Sequence, residues 1–243
     1  MTEIKVISSS SAGNGYVLIS NHETLLLELG CKTLEYYTLA DGKIVGAICT
    51  HRHDDHLNPS TAKEMLRRGI PVFMGEVVYE DLLKEGRISG ILPLPERQKT
   101  FVGGFTIQPF KVAHNVPNYG FLIETPTKER IVFVTDAIEC KYRFKDIDCI
   151  MVECNHDDET LLENLEEDEV SQSHPENHLG LSDCINFCDA NLNVHLKQII
   201  LIHLSHANIN ENYALSEVRG AMGGIPVAVA HPDDRFVIEN DIF

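Results

Sequence analysis

The chain has 243 residues, 43% of them hydrophobic, enough to bury one substantial core, so a single domain over residues 1–243 is expected. Its formal net charge is -17, from 20 Lys and Arg against 37 Asp and Glu. That balance argues against a long nucleic-acid partner, which is gripped through clustered basic residues.

The opening Met-Thr-Glu-Ile-Lys-Val-Ile-Ser lacks the basic start and apolar stretch of a secretory signal, so a cytoplasmic protein is expected. The longest apolar runs, such as residues 24–29 and 198–204, are strand-sized and far below the roughly 20 residues of a bilayer span, so no membrane segment is expected. Strands are predicted at about residues 4–9, 16–20 and 24–29, separated by Ser-Ala-Gly-Asn-Gly and Asn-His-Glu turn chemistry, which makes an antiparallel start. From Val45 the pattern becomes strand then helix: strands at 45–50 and 72–74, helices near 60–68 and 77–85. Further strands are predicted at 91–94, 105–112, 120–124, 131–135, 149–153, 199–203, 227–230 and 236–239, with helices near 181–190 and 212–222. About a dozen strands with helices inserted between them imply an α/β protein, an αββα sandwich of two packed sheets with helices on the outer faces.

No Lys or Arg occurs between Lys145 and Lys197, an interval holding fourteen Asp and Glu. Outside it the chain is nearly neutral. The acidic run 157–169 reads as a solvated helix, with Leu161, Leu162 and Leu165 on one face; a charged lid is the sharper alternative. Seven cysteines form an odd set without a Cys-x-x-Cys pair and read as buried thiols rather than a disulfide framework.

The chemistry gathers at residues 51–56, His-Arg-His-Asp-Asp-His. His51, His53, Asp55 and His56 follow an apolar strand directly, where side chains leave a sheet edge together. Imidazole and carboxylate are the ligands that zinc and its neighbours accept. His114, Asp136 and His203 each close an apolar strand as well. If those strands share a sheet, their ends converge on the first cluster. An exposed polar turn, or a lone structural histidine, is the bland alternative for each one taken singly.

The run 51–56 matches without a gap the His-x-His-x-Asp-His motif, and the chain thereby resembles the metallo-β-lactamase superfamily. The resemblance extends toward the phosphodiesterase branch, the YycJ-type hydrolases and ribonuclease Z. Ser8 to Asn14 is similar to their Ser/Gly-rich opening, residues 153–157 to their Glu-Ala-Asn-His-Asp segment, and His203-Leu204-Ser205 to their His-Leu-Ser ending. It implies two mixed sheets in the family's sandwich and two divalent ions, zinc or manganese. His51, His53 and His114 would hold one, Asp55, His56 and His203 the other, with Asp136 between them. Glu28 stands where the family usually has Asp, which leaves any orienting role there open.

His178 is similar to the histidine that phosphodiesterase branches place near the leaving group, which makes it, with Asp55, the catalytic candidate; an ordinary loop histidine is the alternative. Of the others, His156 and His231 are left open, and His22, His174, His195 and His206 read as ordinary. The resemblance implies a nucleotide phosphodiester substrate: DNA for YycJ-type proteins, cyclic mononucleotides for the similar anti-Pycsar enzymes. The absence of any Lys/Arg-rich run favours the small 3′,5′-cyclic nucleotides, with Arg52, Lys111, Lys141, Arg143 and Asn115 as candidate donors to it. A homodimer is a further expectation from the resemblance. A binding protein that keeps the fold without activity is the reading from another class, and the intact set of ligand residues argues against it.

Overall fold

The computed structural model describes residues 1–166 and 175–239. In chain order these form β1 (Thr2–Ser10), β2 (Gly13–Ser20), β3 (Glu23–Leu27), α1 (Thr33–Leu39), β4 (Lys43–Cys49), α2 (Pro59–Arg67), β5 (Val72–Gly75), α3 (Glu76–Glu85) and β6 (Leu92–Leu94). There follow β7 (Thr100–Val102), β8 (Phe105–Val112), β9 (Asn118–Glu124), β10 (Arg130–Val134), β11 (Cys149–Glu153), α4 (Asp158–Glu166), α5 (Leu181–Ala190), β12 (Gln198–Ile202), α6 (Glu211–Ala221), β13 (Val227–Val229) and β14 (Arg235–Ile238). The strands make two seven-stranded sheets, ordered β14-β1-β2-β3-β4-β5-β6 and β13-β12-β11-β10-β9-β8-β7. Each is mixed: β14 through β3 and β7 through β10 pair antiparallel, whereas β3 through β6 and β10 through β13 pair parallel. With helices on the outer faces this is the expected αββα sandwich.

The apolar strands of the second sheet are buried on both sides, which is why β10, β11 and β12 read as continuous hydrophobic runs. Ile131, Phe133, Met151 and Ile200 face the layer between the sheets, while Val132, Val134, Ile150 and Leu201 face α5 and α6 through Phe187, Ala214 and Val218. The period of two along each strand divides them in this way. Helix α2 begins at Asn58, whose side chain accepts from Ser60 N–H and Thr61 N–H, with Pro59 in its first turn.

Two elements escape the sequence pattern. Helix α1 buries only Tyr36 and leaves Leu34 75% exposed, so no apolar stripe marks it. Strand β7 is three residues at a sheet edge, with Phe101 turned to solvent. In the acidic run, α4 forms as far as Glu166, and Leu162 stands exposed rather than on a buried stripe. Residues 167–169 and the Leu165 side chain lie outside the described residues, as does His174. All seven cysteines are free thiols, six of them buried and Cys140 partly so. No helix among the described residues is long and apolar enough to cross a membrane.

Strand direction positions the site. Because β3 and β4 run parallel, their C-terminal ends share one rim, which also carries the turn between β1 and β2. In the second sheet β10, β11 and β12 are parallel, and β8 points the same way across antiparallel β9. The residues after β8, β10, β11 and β12 therefore emerge at a common edge.

Candidate metal centre

All seven residues expected as ligands meet at that rim. His51, His53, His114 and Asp136 offer donor atoms within 4.8 Å of one another, and so do Asp55, His56, Asp136 and His203. Asp136 belongs to both groups: its Oδ2 lies 3.5 Å from His51 Nε2 and 3.3 Å from His56 Nε2, and its Oδ1 lies 3.3 Å from His203 Nε2. His51 Nε2 and His53 Nδ1 face each other at 2.9 Å. His51, His56, Asp136 and His203 are buried.

Proton positions on the rings follow from what holds their far sides. His51 Nδ1 lies 3.0 Å from Thr50 Oγ1, which donates to Glu28 Oε1 at 2.6 Å, so the hydroxyl accepts from His51 and the Nε2 lone pair points into the site. His114 Nδ1 donates to the Asn177 carbonyl at 2.9 Å, leaving a buried Nε2 without a hydrogen-bond partner. His203 Nδ1 donates to Asn14 Oδ1 at 3.0 Å. Glu28 is buried beside His56, its Oε1 3.4 Å from Nδ1, so the longer carboxylate still reaches the imidazole.

Several lone pairs and a shared carboxylate aimed at common points repel one another unless a cation lies between them. The donor chemistry therefore fits divalent metal ions, each group supplying four N and O ligands. Electrostatics agree. Burial drives His51 well below the usual imidazole range, reinforced by His56, so it stays neutral and able to ligate. His56 behaves oppositely: burial opposes its charge, yet Asp136 and Glu28 hold it well above that range, marking a position that favours positive charge, proton or metal. Burial also opposes ionisation of Asp136, but His203, His56 and His51 around it keep its carboxyl well below the ordinary value.

A third group joins Asp136, Glu153, His178 and His203. Glu153 closes β11 as the ligand residues close their strands. Its Oε2 accepts from the backbone N–H of Ala137 (3.0 Å) and Leu179 (3.1 Å), and its Oε1 meets His178 Nδ1 at 2.6 Å. His178 stacks on His203 with ring centroids 5.5 Å apart. Burial would lower its pKa, but the hydrogen bond and charge of Glu153 push it up to about 9, so the ring carries a proton at neutral pH.

These groups open into a cavity of about 250 Å³ lined by His53, Asp55, His114, Asp136, His178 and His203 together with Ser11, Asn115, Asn155, Asn177, Leu204 and Ser205. Of the donors expected to meet substrate, only Asn115 lines it. Arg52 is paired with Glu85 at 3.0 Å, Lys111 with Glu96 at 2.9 Å and Lys141 with Glu139 at 2.6 Å, while Arg143 lines a separate cavity. Neither His156 nor His231 lines the site cavity, and His231 instead meets Glu211 at 3.0 Å. Residues missed from sequence are the orienting groups Asn14 and Thr50 and the carboxamides Asn155 and Asn177. Asn14 had a signal in the Ser/Gly-rich opening and Asn155 in the segment 153–157; Thr50 and Asn177 had none.

The family model of the beta-lactamase superfamily domain matches residues 34–204. The chain belongs to this family. Its fold is similar to solved structures over almost the whole length. The metallo-beta-lactamase fold protein YhfI from Bacillus subtilis is 17% identical with a TM-score of 0.72, covering 97% of this chain and 98% of that one. A diphosphatase from the PhnP family is 14% identical with a TM-score of 0.66, covering 98% of both. The short form of human tRNase Z is 13% identical with a TM-score of 0.60, covering 98% of this chain and all of the other, at 100%. Comparison with the curated proteins finds no match. As a member of this superfamily carrying a complete donor set, the chain is a hydrolytic enzyme whose His and Asp groups suit divalent metal ions.

Proposed function

We propose that this superfamily member is a dinuclear metal-dependent phosphodiesterase that hydrolyses nucleotide phosphodiester bonds, with small 3′,5′-cyclic nucleotides preferred. The observation that carries the reading is the placement of His178, gripped by Glu153 at 2.6 Å and facing the cavity beside Asp136 and His203. A phosphodiester needs a proton for its departing sugar oxygen, and an imidazolium in that place supplies it. The PhnP-family diphosphatase and tRNase Z among the structural matches support phosphorus chemistry.

In this reading His51, His53 and His114 hold one ion, Asp55, His56 and His203 a second, and Asp136 lies between them. Two such ions, zinc or manganese, supply when bound the Lewis acidity that brings a water toward neutral pKa and offsets charge gathering at phosphorus. Asp55 remains ionised, since its contact with His56 outweighs the opposing effect of burial, and it orients the attacking water and takes its proton. As the new P–O bond forms and the old one breaks, His178 gives its proton to the leaving oxygen. Glu153 keeps the ring in register and offsets its charge.

Substrate size follows from the cavity. Among the described residues the cavity of about 250 Å³ is lined by the His and Asp groups, carboxamides and hydroxyls with no Lys or Arg, which favours one singly charged phosphodiester over a polymer needing a basic track. The test is hydrolysis of bis-p-nitrophenyl phosphate with and without chelator, beside cyclic mononucleotides and end-labelled DNA. Chelator-sensitive opening of cyclic nucleotides is expected. Turnover of DNA ends alone makes the enzyme an exonuclease, and turnover of a lactam or thioester alone sinks the phosphodiester reading.

A further inference from the structure

Asn14 is the second residue of the inner strand β2 and is 1% exposed, though it is neither an acid nor an imidazole. Its carboxamide touches every residue peculiar to the second ligand group. Oδ1 accepts from His203 Nδ1 at 3.0 Å, while Nδ2 lies 3.0 Å from His56 Nε2 and 3.5 Å from Asp55 Oδ2. Nδ2 also donates to the Ser10 carbonyl at 3.1 Å, which fixes the direction of the amide. The backbone repeats the pattern, since Asn14 N–H donates to the Asp55 carbonyl at 2.7 Å. Among the described residues no hydrogen bond joins Asn14 to His51, His53 or His114.

We propose that Asn14 is a positioning residue for one half of the centre only: it organises Asp55, His56 and His203, and thereby sets affinity for the second ion while leaving the first unaffected. The inference rests on the two-ion reading above. A carboxamide suits the place because its Oδ1 accepts from His203 while its Nδ2 donates to the carbonyls of Ser10 and Asp55, which anchors the amide beside the 51–56 loop. The acceptor holds the His203 proton on Nδ1, so that the Nε2 lone pair faces Asp136. A second contact on the same histidine comes from β1, where Ser9 Oγ accepts from the His203 backbone N–H at 2.8 Å. Ser9 fixes the main chain and Asn14 the ring.

Two measurements test this on the full chain. Nitrogen-15 spectra of the metal-free protein report the His203 tautomer directly, and zinc titration by calorimetry reports each ion. In wild type His203 is the Nδ1–H form and two zinc ions bind. In Asn14→Leu, similar in size but without the amide, the tautomer preference is lost, one ion binds as in wild type, and the other binds about 10–100-fold more weakly, the usual cost of removing an orienting partner. Asn14→Asp restores the acceptor and brings the weakened ion back toward wild-type affinity. Two ions bound by Asn14→Leu within twofold of wild type, or equal weakening of both ions, overturns the inference alone. A wild-type stoichiometry of one overturns the two-ion reading and the inference with it.

Discussion

Glu28, Asp136 and His203 all hold left-handed backbone, with φ of 61°, 50° and 54°, at the ends of β3, β10 and β12. For residues with a side chain this conformation costs roughly 1–2 kcal/mol each, and it turns the chain sharply so that side chains leave the strand toward the rim. Strain gathered at three corners of one site fits groups placed for chemistry rather than for stability. We expect His53→Ala and His56→Ala each to abolish turnover and lower metal content, measured by metal analysis after gel filtration. His178→Ala should reduce turnover about 10²–10⁴-fold while retaining the metal of wild type; metal loss in that variant removes the role assigned to it. The residues that meet at the rim were legible because His114, Asp136 and His203 each close an apolar run and His51, His53, Asp55 and His56 follow one together, a pattern visible without coordinates. Thr50, Asn14 and the direction of Glu28 were not, since their meaning lies in contacts such as Asn14 with His203, 189 positions apart.

At the scale of elements, the loop carrying residues 51–56 is clasped from both sides. Asn14 N–H and Leu29 N–H donate to the carbonyls of Asp55 and His56, and Gly30 lies so close that a Cβ on it would stand 1.8 Å from the Asp55 carbonyl oxygen. Gly30→Ala must push this loop aside, and we expect loss of metal binding together with a destabilisation of about 3 kcal/mol or more, read by urea unfolding. Asn58→Ala, which removes the cap of α2, should cost about 1 kcal/mol by the same measurement and leave metal content alone. Elements with a strong period, such as β8, β10, β11 and α5, were legible nearly to the residue. Helix α1 and strand β7 were hidden because each is short and exposes its apolar side chains, so nothing in local hydrophobicity distinguishes them from loop.

Across the whole molecule, the two rims of the sandwich have divided labour. Opposite the metal centre, Glu129 is buried beneath the chain start and accepts from Thr2 at 2.9 Å, Thr127 at 2.5 Å and Thr125. Burial opposes its charge, but these hydroxyls and a backbone N–H pull its carboxyl down from 4.5 to about 2. A carboxyl depressed in the folded state stabilises fully above its unfolded value and loses that contribution as pH falls toward about 2. Glu129→Gln should therefore be less stable than wild type at pH 7 by on the order of 2–3 kcal/mol, a gap at least halved by about pH 3 in urea titrations. Chelation should also lower the melting temperature, since an ion at 100 times its Kd contributes about 2.7 kcal/mol, or roughly 5–10 °C for a chain of this size.

Residues 51–56 hang from the first sheet, while His114, Asp136 and His203 hang from the second, so an ion shared between them would rivet one sheet to the other. Ions held there would tie the lips of the two sheets together, so removing them would loosen the same rim that turnover needs.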